Sequence, residues 1–453
     1  MRKLLIFPGI FLVVLVYSLE TTKAQTTLHG IVMKGAGTAG GAAIPSEILV
    51  QFKAGTTSLT QERAIQAAGG YAARKSAYGD RYRVQLKPGI SVTEALSRLA
   101  AMDEVSFATP HYRRVALFTP NDPLYPQQWN LALVHSPRTW DIQAGDPSVV
   151  VAVLDTGVAF EDYTSPDGTH FGKAPDWGGT TFVTGFNVFT NDAHANDDNG
   201  HGTNVASIIA EATNNGVGFA GLAFHCALMP LRALEGEGKE ATGSDFGIAE
   251  AIDYARTFSM NGTNPVKVIN MSLGGPVDDP FLDQAIDRAI AAGITVVAAS
   301  GNDGVQGVSF PAAHAGVIAV GSVDNNSQLA FYSNTGPEVS VVAPGGGCDT
   351  NDPDHGFVFT QNYEFGGPDF LPVSFDSFNY DVGFCGTSQA TPHVSAVAAL
   401  LYRQGITDPT AVKAAIQSTA QHLGSGAQGT RNDQFGYGLV RPDQALAGLG
   451  FNQ

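Results

Sequence analysis

Three short motifs in this sequence carry side chains that together could activate a hydroxyl group for attack on a carbonyl carbon. They are VLDTG, which contains Asp155, NGHGT, which contains His201, and GTS, which contains Ser388. A serine hydroxyl is a weak nucleophile until an imidazole accepts its proton, and a buried carboxylate is needed to orient that imidazole. Asp155, His201 and Ser388 are therefore candidate catalytic residues for nucleophilic acyl transfer.

Each motif taken alone has a simpler structural explanation. The D-T-G sequence also occurs in aspartic proteases, although the second copy that such an enzyme needs is absent from this sequence. Ser388 could serve only as a helix N-cap, and His201 could be an ordinary hydrogen-bonded histidine. His393 is closer to Ser388 in sequence, but its place within an apolar helical pattern favours a packing role. The catalytic interpretation depends on the three motifs occurring together.

The elements that must position these side chains alternate between strand and helix patterns. The run VVVAVLD (149–155) is short, continuous and β-branched, as is typical of a strand buried in a parallel sheet. Helical patterns such as GSDFGIAEAIDYARTF and PFLDQAIDRAIAAG separate further runs of this kind. The alternation predicts an α/β fold with a doubly wound, mainly parallel sheet and helices on both faces. Functional residues of such folds gather at the carboxyl ends of the strands.

With these motifs in place, the chain from about Asn121 to the C-terminus resembles the subtilisin-like serine peptidases of the subtilase family. The order Asp, His, Ser is the one found in subtilisin. The surrounding sequences NGHGTNVA, NMSLGG (270–275), AASGNDG (298–304) and GTSQATPHVSAVAALL also match. The resemblance implies a serine endopeptidase that acts on protein or peptide substrates. A catalytically silent peptide-binding relative and a peptide ligase or cyclase remain as alternatives, since a fold does not fix an activity.

The resemblance also implies a role for each site residue. Ser388 would be the nucleophile, His201 the general base and then the general acid, and Asp155 the residue that orients His201. Asn302 would donate its side-chain amide to the oxyanion beside the backbone N–H of Ser388. The substrate would lie extended between two segments of chain and form main-chain hydrogen bonds with them. The implied substrate-binding residues are Gly243 and Ser244 on one side, Ser272, Leu273 and Gly274 on the other, and Ser309 at the floor of the pocket.

Several positions depart from the family's usual pattern. Asn204 stands where a histidine is common after H-G-T, and Gln389 stands where a methionine usually follows the serine. Ser207 and Ala396 occupy positions that are often glycine, and Ser300 replaces a glycine or alanine. None of these changes removes a candidate catalytic residue.

The resemblance further implies a structural calcium site and no catalytic cofactor. Carboxylate, amide and carbonyl oxygens suit Ca²⁺ better than zinc. Ordinary polar turns are the alternative explanation for the implied calcium ligands. Two weaker candidate cation sites precede His201 and Ser388: Asn187, Asp192 and Asn196, with Asp197 and Asp198 nearby, and the run Asp349–Asp354. The implied ligands are the side chains of Asp122, Asp176 and Asn215 and the backbone carbonyls of Ala212, Val217 and Phe219.

The N-terminal part of the chain has the features of a secretory leader and an inhibitory pro-domain. Residues 1–24 form a basic start, an apolar run and small residues at a cleavage position, as in a signal peptide. Residues 25–44 have the composition of a linker. Residues 45–117 show alternating strand and helix patterns of a small α/β unit and resemble the pro-domains of subtilases. The catalytic domain would then span 118–453, and self-cleavage is expected between about Tyr112 and Pro120.

Composition and charge limit the function classes. The chain of 453 residues has a net charge of −17, which argues against nucleic-acid binding. Residues 1–117 hold 14 basic and 7 acidic side chains, whereas the remainder holds 11 and 35, so the two parts could form complementary surfaces. No second apolar run reaches the length of a membrane span. We therefore expect a secreted, extracellular or periplasmic monomer, with Cys348 and Cys385 as the favoured disulfide pair and Cys226 as a buried thiol.

Overall fold

The computed structural model describes residues 43–112, 118–236, 241–352, 356–366 and 371–448. The predicted signal peptide and nearly all of the predicted linker lie outside these ranges. The chain divides into two compact units, Met1–Ala116 and Leu117–Gln453. Among the helices in the described ranges, none combines the length and the apolar character that a membrane crossing requires.

The N-terminal unit is a four-stranded antiparallel sheet with two helices. The sheet order is β2-β3-β1-β4, and its small core is formed by residues such as Ile48, Val84 and Leu99. Each helix begins after an N-cap side chain, Thr57 or Ser91, that accepts a backbone N–H three residues later. The elements are β1 (Ala43–Phe52), α1 (Ser58–Ala67), β2 (Gly70–Lys75), β3 (Arg81–Leu86), α2 (Val92–Ala100) and β4 (Val105–Tyr112).

The sequence patterns missed one strand of this unit. β2 is exposed along five of its six residues, so it lacks the alternation of apolar and polar residues by which a half-buried strand is recognised. β1 begins at Ala43, two residues inside the segment that was expected to be a linker.

The C-terminal unit is built on an eight-stranded sheet in which all neighbouring strands are parallel, which confirms the predicted fold class. The order is β14-β13-β12-β11-β5-β10-β8, and β9 also pairs with β10. The strands are β5 (Val150–Asp155), β8 (Thr181–Phe182), β9 (Phe186–Asn187), β10 (Ala227–Arg232), β11 (Val266–Met271), β12 (Thr295–Ala299), β13 (Ile318–Val323) and β14 (Val339–Pro344). A separate hairpin pairs β6 (Tyr163–Thr164) with β7 (His170–Phe171).

Helices cover both faces of this sheet, because alternate residues of each strand supply two separate cores. Val151 and Val153 face one core, and Val150, Ala152 and Leu154 face the other. The first core also receives α3 (Trp129–Leu133), α4 (Ser136–Trp140), α5 (His201–Ala210), α8 (Thr387–Arg403), α9 (Pro409–Thr419) and α10 (Pro442–Ala447), and the second receives α6 (Asp245–Thr257) and α7 (Pro280–Ala291). Strands buried on both faces explain the continuous apolar runs of the sequence.

A disulfide between Cys348 and Cys385 closes a segment that connects the last strand of the sheet to α8. This confirms the favoured cysteine pairing. The described parts of residues 349–384, hereafter the closed segment, form three short antiparallel pairs. These are β15 (Val358–Phe359) with β20 (Gly383–Phe384), β16 (Asn362–Tyr363) with β19 (Phe378–Asn379), and β17 (Phe365–Gly366) with β18 (Leu371–Pro372). Cys226 is a buried free thiol, and burial raises its pKa to about 12.

Candidate active site

Asp155 and His201 form a hydrogen-bonded pair at the carboxyl edge of the parallel sheet. Asp155 is the last residue of β5 and is fully buried, and His201 is the first residue of α5. The Nδ1–H of His201 donates to Oδ1 of Asp155 at 2.7 Å. Burial alone lowers the pKa of His201, but the charge of Asp155 and the hydrogen bond to it outweigh this effect, so the pKa lies above its ordinary value.

Hydrogen bonds of Thr156 and Asp197 connect the end of β5 to the start of α5. Thr156 Oγ1 accepts the N–H of Gly202 at 2.9 Å and donates to Asp197 Oδ1 at 2.8 Å. Gly202 is needed here because a Cβ atom would lie 2.0 Å from the carbonyl oxygen of Gly157. These contacts set the distance between Asp155 and the helix that carries His201.

Ser388 is the second residue of α8, and Ser272 fixes its position. Pro392 has no backbone N–H, so it cannot donate to the carbonyl oxygen of Ser388, four residues earlier. Ser272 Oγ donates to that oxygen at 2.8 Å, and Ser388 Oγ donates in return to the carbonyl oxygen of Ser272 at 3.1 Å. No hydrogen bond joins Ser388 to His201 in the described structure, so the hydroxyl must turn away from Ser272 before His201 can accept its proton.

The side-chain amide of Asn302 is oriented by the start of the same helix. Its Oδ1 accepts the backbone N–H of Thr387 at 2.9 Å and the hydroxyl of Thr387 at 2.8 Å. The amide nitrogen is therefore left to face the cleft, where Asn302 and Ser388 are both lining residues. No acceptor is recorded in the described structure for the backbone N–H of Ser388, as expected in the first turn of a helix. Two donors are thus available for one oxyanion.

His201, Asn302 and Ser388 line one cleft of about 510 Å³. Of the residues implied for substrate binding, Gly243, Ser272, Leu273 and Gly274 line it. Ser244 and Ser309 are absent from the described lining. Ser244 caps α6 by accepting the N–H of Gly247 at 3.1 Å, and the Cβ of Ser309, a half-buried residue, lies 3.1 Å from where a Gly274 Cβ would be.

Sequence reasoning missed many of the lining residues, among them Phe384 and Cys385, and was consistent with the structure at His393. Phe384 and Cys385 line the cleft, and the ring of Phe384 lies edge-to-face with that of His201 at a centroid distance of 6.4 Å. No motif marks Phe384, so only the disulfide pairing could have placed it there. His393 is fully buried, donates to the carbonyl oxygen of Gln389 at 2.8 Å and accepts from Asn130. Burial lowers its pKa to about 4, so it is neutral.

The three side chains of the implied calcium site lie together. Backbone N–H groups of Asn214 and Asn215 donate to the two oxygens of Asp122, and the Asn215 amide donates to Asp176 Oδ1 at 2.7 Å. Burial, opposed by the hydrogen bond from Asn215 and reinforced by the charge of Asp122, raises the pKa of Asp176 to about 7. The three residues expected to contribute carbonyls, Ala212, Val217 and Phe219, are on the same loop, and the Phe219 N–H donates to Asp176 Oδ2.

Glu211 supports the fit of a cation at this place. It is fully buried, its Oε2 has no hydrogen-bond partner, and burial followed by the charge of Asp176 raises its pKa. Neighbouring buried carboxylates are an arrangement that a hard cation stabilises. Within the described ranges no three His, Cys, Asp or Glu side chains could hold a metal by themselves. The amide of Asn215 and the loop carbonyls would therefore have to complete the coordination.

The two weaker candidate cation sites make other hydrogen bonds or lie partly outside the described residues. Asn187 Oδ1 accepts the N–H of Phe189, Asp192 Oδ1 accepts that of His194, and the Asn196 amide donates to Glu161. Both carboxylate oxygens of Asp197 accept hydrogen bonds within the protein. Oδ1 accepts from the Thr156 hydroxyl and from two backbone N–H groups, and Oδ2 accepts from the N–H and the hydroxyl of Thr203. Asp198 is paired with Arg232. In the run 349–354, Asp349 accepts from Asn351, and Asp354 is not among the described residues.

Two family sequence models match the chain. The model of the subtilase family matches residues 146–438, and that of the fervidolysin N-terminal prodomain matches residues 33–111. The first covers well over half of the chain and includes Asp155, His201, Asn302 and Ser388.

Curated relatives cover much of both units. The chain is 33% identical over 412 residues to the thermophilic serine proteinase of Bacillus sp. (strain AK1), covering 90% of this chain and 88% of that protein. It is 34% identical over 307 residues to thermitase of Thermoactinomyces vulgaris, covering 68% of this chain and 93% of thermitase.

Solved structures give the same result. The chain resembles a protease of Pseudoalteromonas arctica PAMC 21717 with a TM-score of 0.60 and 30% identity, covering 74% of this chain and 100% of that one. It shares the fold of fervidolysin from Fervidobacterium pennivorans with a TM-score of 0.56 and 22% identity, covering 92% of this chain and 62% of fervidolysin. Taken with the family match and the curated relatives, these likenesses place the chain in the subtilase family of serine proteases, with a fervidolysin-like N-terminal prodomain.

Proposed function

We propose that this protein is a secreted serine endopeptidase that hydrolyses peptide bonds through an acyl-enzyme and is made as a self-processed zymogen. Asp155, His201 and Ser388 would form the catalytic triad, and Asn302 would complete the oxyanion hole. The observation that supports this most directly is the 2.7 Å hydrogen bond from His201 to the buried Asp155, at the edge of the cleft that Ser388 lines.

The geometry supports a specific sequence of proton transfers. Since Nδ1 of His201 donates to Asp155, its Nε2 is the nitrogen that accepts the Ser388 proton as the hydroxyl attacks the peptide carbonyl. The amide of Asn302 and the N–H of Ser388 would stabilise the oxyanion of the tetrahedral intermediate. His201 then donates its proton to the leaving amine. A water molecule, deprotonated by His201, would hydrolyse the acyl-enzyme and regenerate Ser388.

Labelling with a fluorophosphonate tests this proposal, because only an activated serine reacts rapidly. Wild-type enzyme should be labelled at Ser388, and the label should be located by peptide mass analysis. A protein that binds peptides and is not labelled would be the catalytically silent alternative. A labelled protein whose products gain no water, by intact product mass, would be the ligase or cyclase.

The pH dependence follows from the raised pKa of His201. The residue must be neutral to accept a proton, so kcat/KM should fall as the pH drops through that pKa. Because Asp155 holds the pKa above the ordinary value of about 6.5, the midpoint of the acid limb should lie above pH 6.5. Removing the carboxylate in Asp155→Asn should move that midpoint to lower pH as well as reduce kcat. A wild-type midpoint below 6.5 would contradict the assignment.

Removing the oxyanion donor should lower kcat with little change in KM. Asn302→Ala is expected to reduce kcat by about 10²–10³, the range measured for the equivalent loss in subtilisin, because the amide acts mainly on the charged intermediate. Thr387 donates to Asn302 but does not contact the oxyanion, so Thr387→Val is a comparison variant that tests positioning alone. Equal losses of kcat and of substrate binding in Asn302→Ala would argue against the role.

Calcium would stabilise the fold without taking part in the chemistry. Asp122, Asp176 and Asn215 would hold the ion with the carbonyl oxygens of Ala212, Val217 and Phe219. Its charge would offset the repulsion between the buried carboxylates of Asp122 and Asp176 and tie the loop at 212–219 to distant parts of the chain.

The N-terminal unit would act as an intramolecular inhibitor and folding aid. The match to a fervidolysin-like prodomain supports this role, and the opposite charges of the two units favour their association. Protein or peptide substrates and this unit are the proposed partners. The mature enzyme, residues from about 118 onward, would be a secreted monomer.

A further inference from the structure

The closed segment makes buried polar contacts with the helix that carries His201 and, through it, with the residue after Ser388. Gln389 Nε2 donates to Asn204 Oδ1 at 3.1 Å, and Asn204 Nδ2 donates to Thr360 Oγ1 at 2.8 Å. Thr360 is on the closed segment, Asn204 is on α5 and Gln389 is on α8. All three side chains are at most 1% exposed.

Gln361, the next residue of the segment, makes a second set of contacts on the same helix. Its amide donates to Ser207 Oγ at 3.4 Å, and its backbone N–H donates to Glu211 Oε1 at 3.1 Å. Its side-chain oxygen accepts the N–H of Asp176 at 2.7 Å. Thr360 and Gln361 therefore contact Asn204 and Ser207 on successive turns of α5 and Glu211, the residue that follows the helix.

These contacts involve three of the positions at which the sequence departs from the usual subtilase pattern. Asn204, Ser207 and Gln389 each differ from the common residue, and each hydrogen-bonds to the closed segment or to another member of this set. A methionine at 389 could not donate to residue 204, and a glycine at 207 would offer no hydroxyl to Gln361. The three residues that differ from the family pattern and the closed segment therefore form one connected set of hydrogen bonds.

Buried polar contacts of this kind fix geometry strongly. Leaving one buried donor or acceptor without a partner is costly in free energy, so each side chain is held to one orientation. Asn204 lies three residues after His201, on the same helix, and Gln389 is adjacent to Ser388. A displacement of Asn204 or Gln389 would therefore move His201 or Ser388 directly.

We propose that Thr360 and Gln361 are positioning residues of the active site: Thr360 through Asn204 and Gln389, and Gln361 through Ser207 and Glu211, set the orientation of the His201 helix relative to Ser388. This inference rests on the proposed catalytic roles of His201 and Ser388. The closed segment is accordingly a fixed part of the catalytic centre rather than a peripheral loop.

Thr360→Val tests the proposal, because it keeps the shape of the side chain and removes only the hydroxyl that Asn204 contacts. We expect kcat to fall about tenfold and KM to change less than twofold, since small displacements of catalytic groups affect the transition state more than binding. Thr360→Ser, which keeps the hydroxyl, should restore kcat to within about twofold. Fluorophosphonate titration would give the concentration of active enzyme in every sample.

Thr295→Val is the matched control. Thr295 is also buried and its hydroxyl bonds to Tyr402 at 3.0 Å, but it lies at the start of β12, the end of the strand away from the catalytic residues. The Thr295→Val variant should be less stable than wild type and should retain its kcat. Equal kcat in Thr360→Val and wild type, or equal losses in the two valine variants, would overturn the inference.

A second variant keeps the proposal testable if Thr360→Val does not fold. Gln389→Met removes the donor at the other end of the same contacts and should also lower kcat with KM nearly unchanged. If it keeps full kcat, the inference is wrong. Failure of wild-type enzyme to react with the fluorophosphonate would instead reject the proposed function itself, so the two failures are distinguishable.

Discussion

Ser388→Ala is expected to lower kcat by about 10⁶-fold, the loss measured when subtilisin loses its catalytic serine. Without the hydroxyl no acyl-enzyme can form, and His201 has no serine proton to accept. The cleft and the Asn302 amide remain, so a residual acceleration of about 10³–10⁴ over water is expected. Peptide hydrolysis by purified enzyme, with substrate well above KM, measures the change.

The same variant tests self-processing. Expressed alone, Ser388→Ala should accumulate as the precursor that retains residues 45–117, whereas wild type should lose them, and intact mass distinguishes the two. Ser418→Ala is the control, since Ser418 is exposed on α9. Normal maturation of Ser388→Ala in the absence of other proteases would exclude self-cleavage, and near-normal hydrolysis would exclude Ser388 as the nucleophile.

Removing Ca²⁺ from the proposed site is expected to cause the largest loss of stability. A chelator should lower the free energy of unfolding by about 4 kcal/mol compared with buffer whose free Ca²⁺ is about 1,000-fold above Kd. For a unit of this size the melting temperature should fall by about 5–10 °C. The physical reason is the buried pair Asp122 and Asp176, whose charges repel each other once the cation is gone. Calorimetry with and without chelator measures the shift.

A variant of the site provides the control for this experiment. Asp176→Asn removes one buried carboxylate, so it should bind Ca²⁺ weakly and show little further loss with chelator. Asp167→Asn changes an exposed carboxylate in a turn and should respond to chelator as wild type does. An identical melting temperature for wild type with and without chelator, together with no heat of Ca²⁺ binding by titration calorimetry, would reject the site.

Much of the catalytic unit could be predicted because each catalytic candidate lies in a short local motif. β-Branched runs such as 149–155 identify buried parallel strands, and such strands end at one edge of a sheet, where Asp155 meets His201. Asn302 was implied by the resemblance to the subtilases and not by strand order. Strand order and the family motifs together therefore predict that these residues lie close to one another.

Other features could not be predicted because they depend on contacts between residues far apart in sequence. Nothing near Thr360 indicates that its hydroxyl would meet Asn204, 156 residues away. Ser244 and Ser309 match positions of the family, yet neither lines the described cleft, whose walls come from segments far apart in the sequence. The exposed strand β2 lacks any periodic pattern. For Thr360 and for the cleft, the decisive contacts are supplied by tertiary structure.

The disulfide between Cys348 and Cys385 has a consequence for when the enzyme becomes active. Disulfides form in oxidising compartments and are rare in a reducing cytosol. Cys385 lies three residues before Ser388, so oxidation joins the closed segment to the helix that carries Ser388, the proposed nucleophile. In an exported protease the catalytic centre would therefore be completed only after export, which would protect the proteins of the cell that makes it.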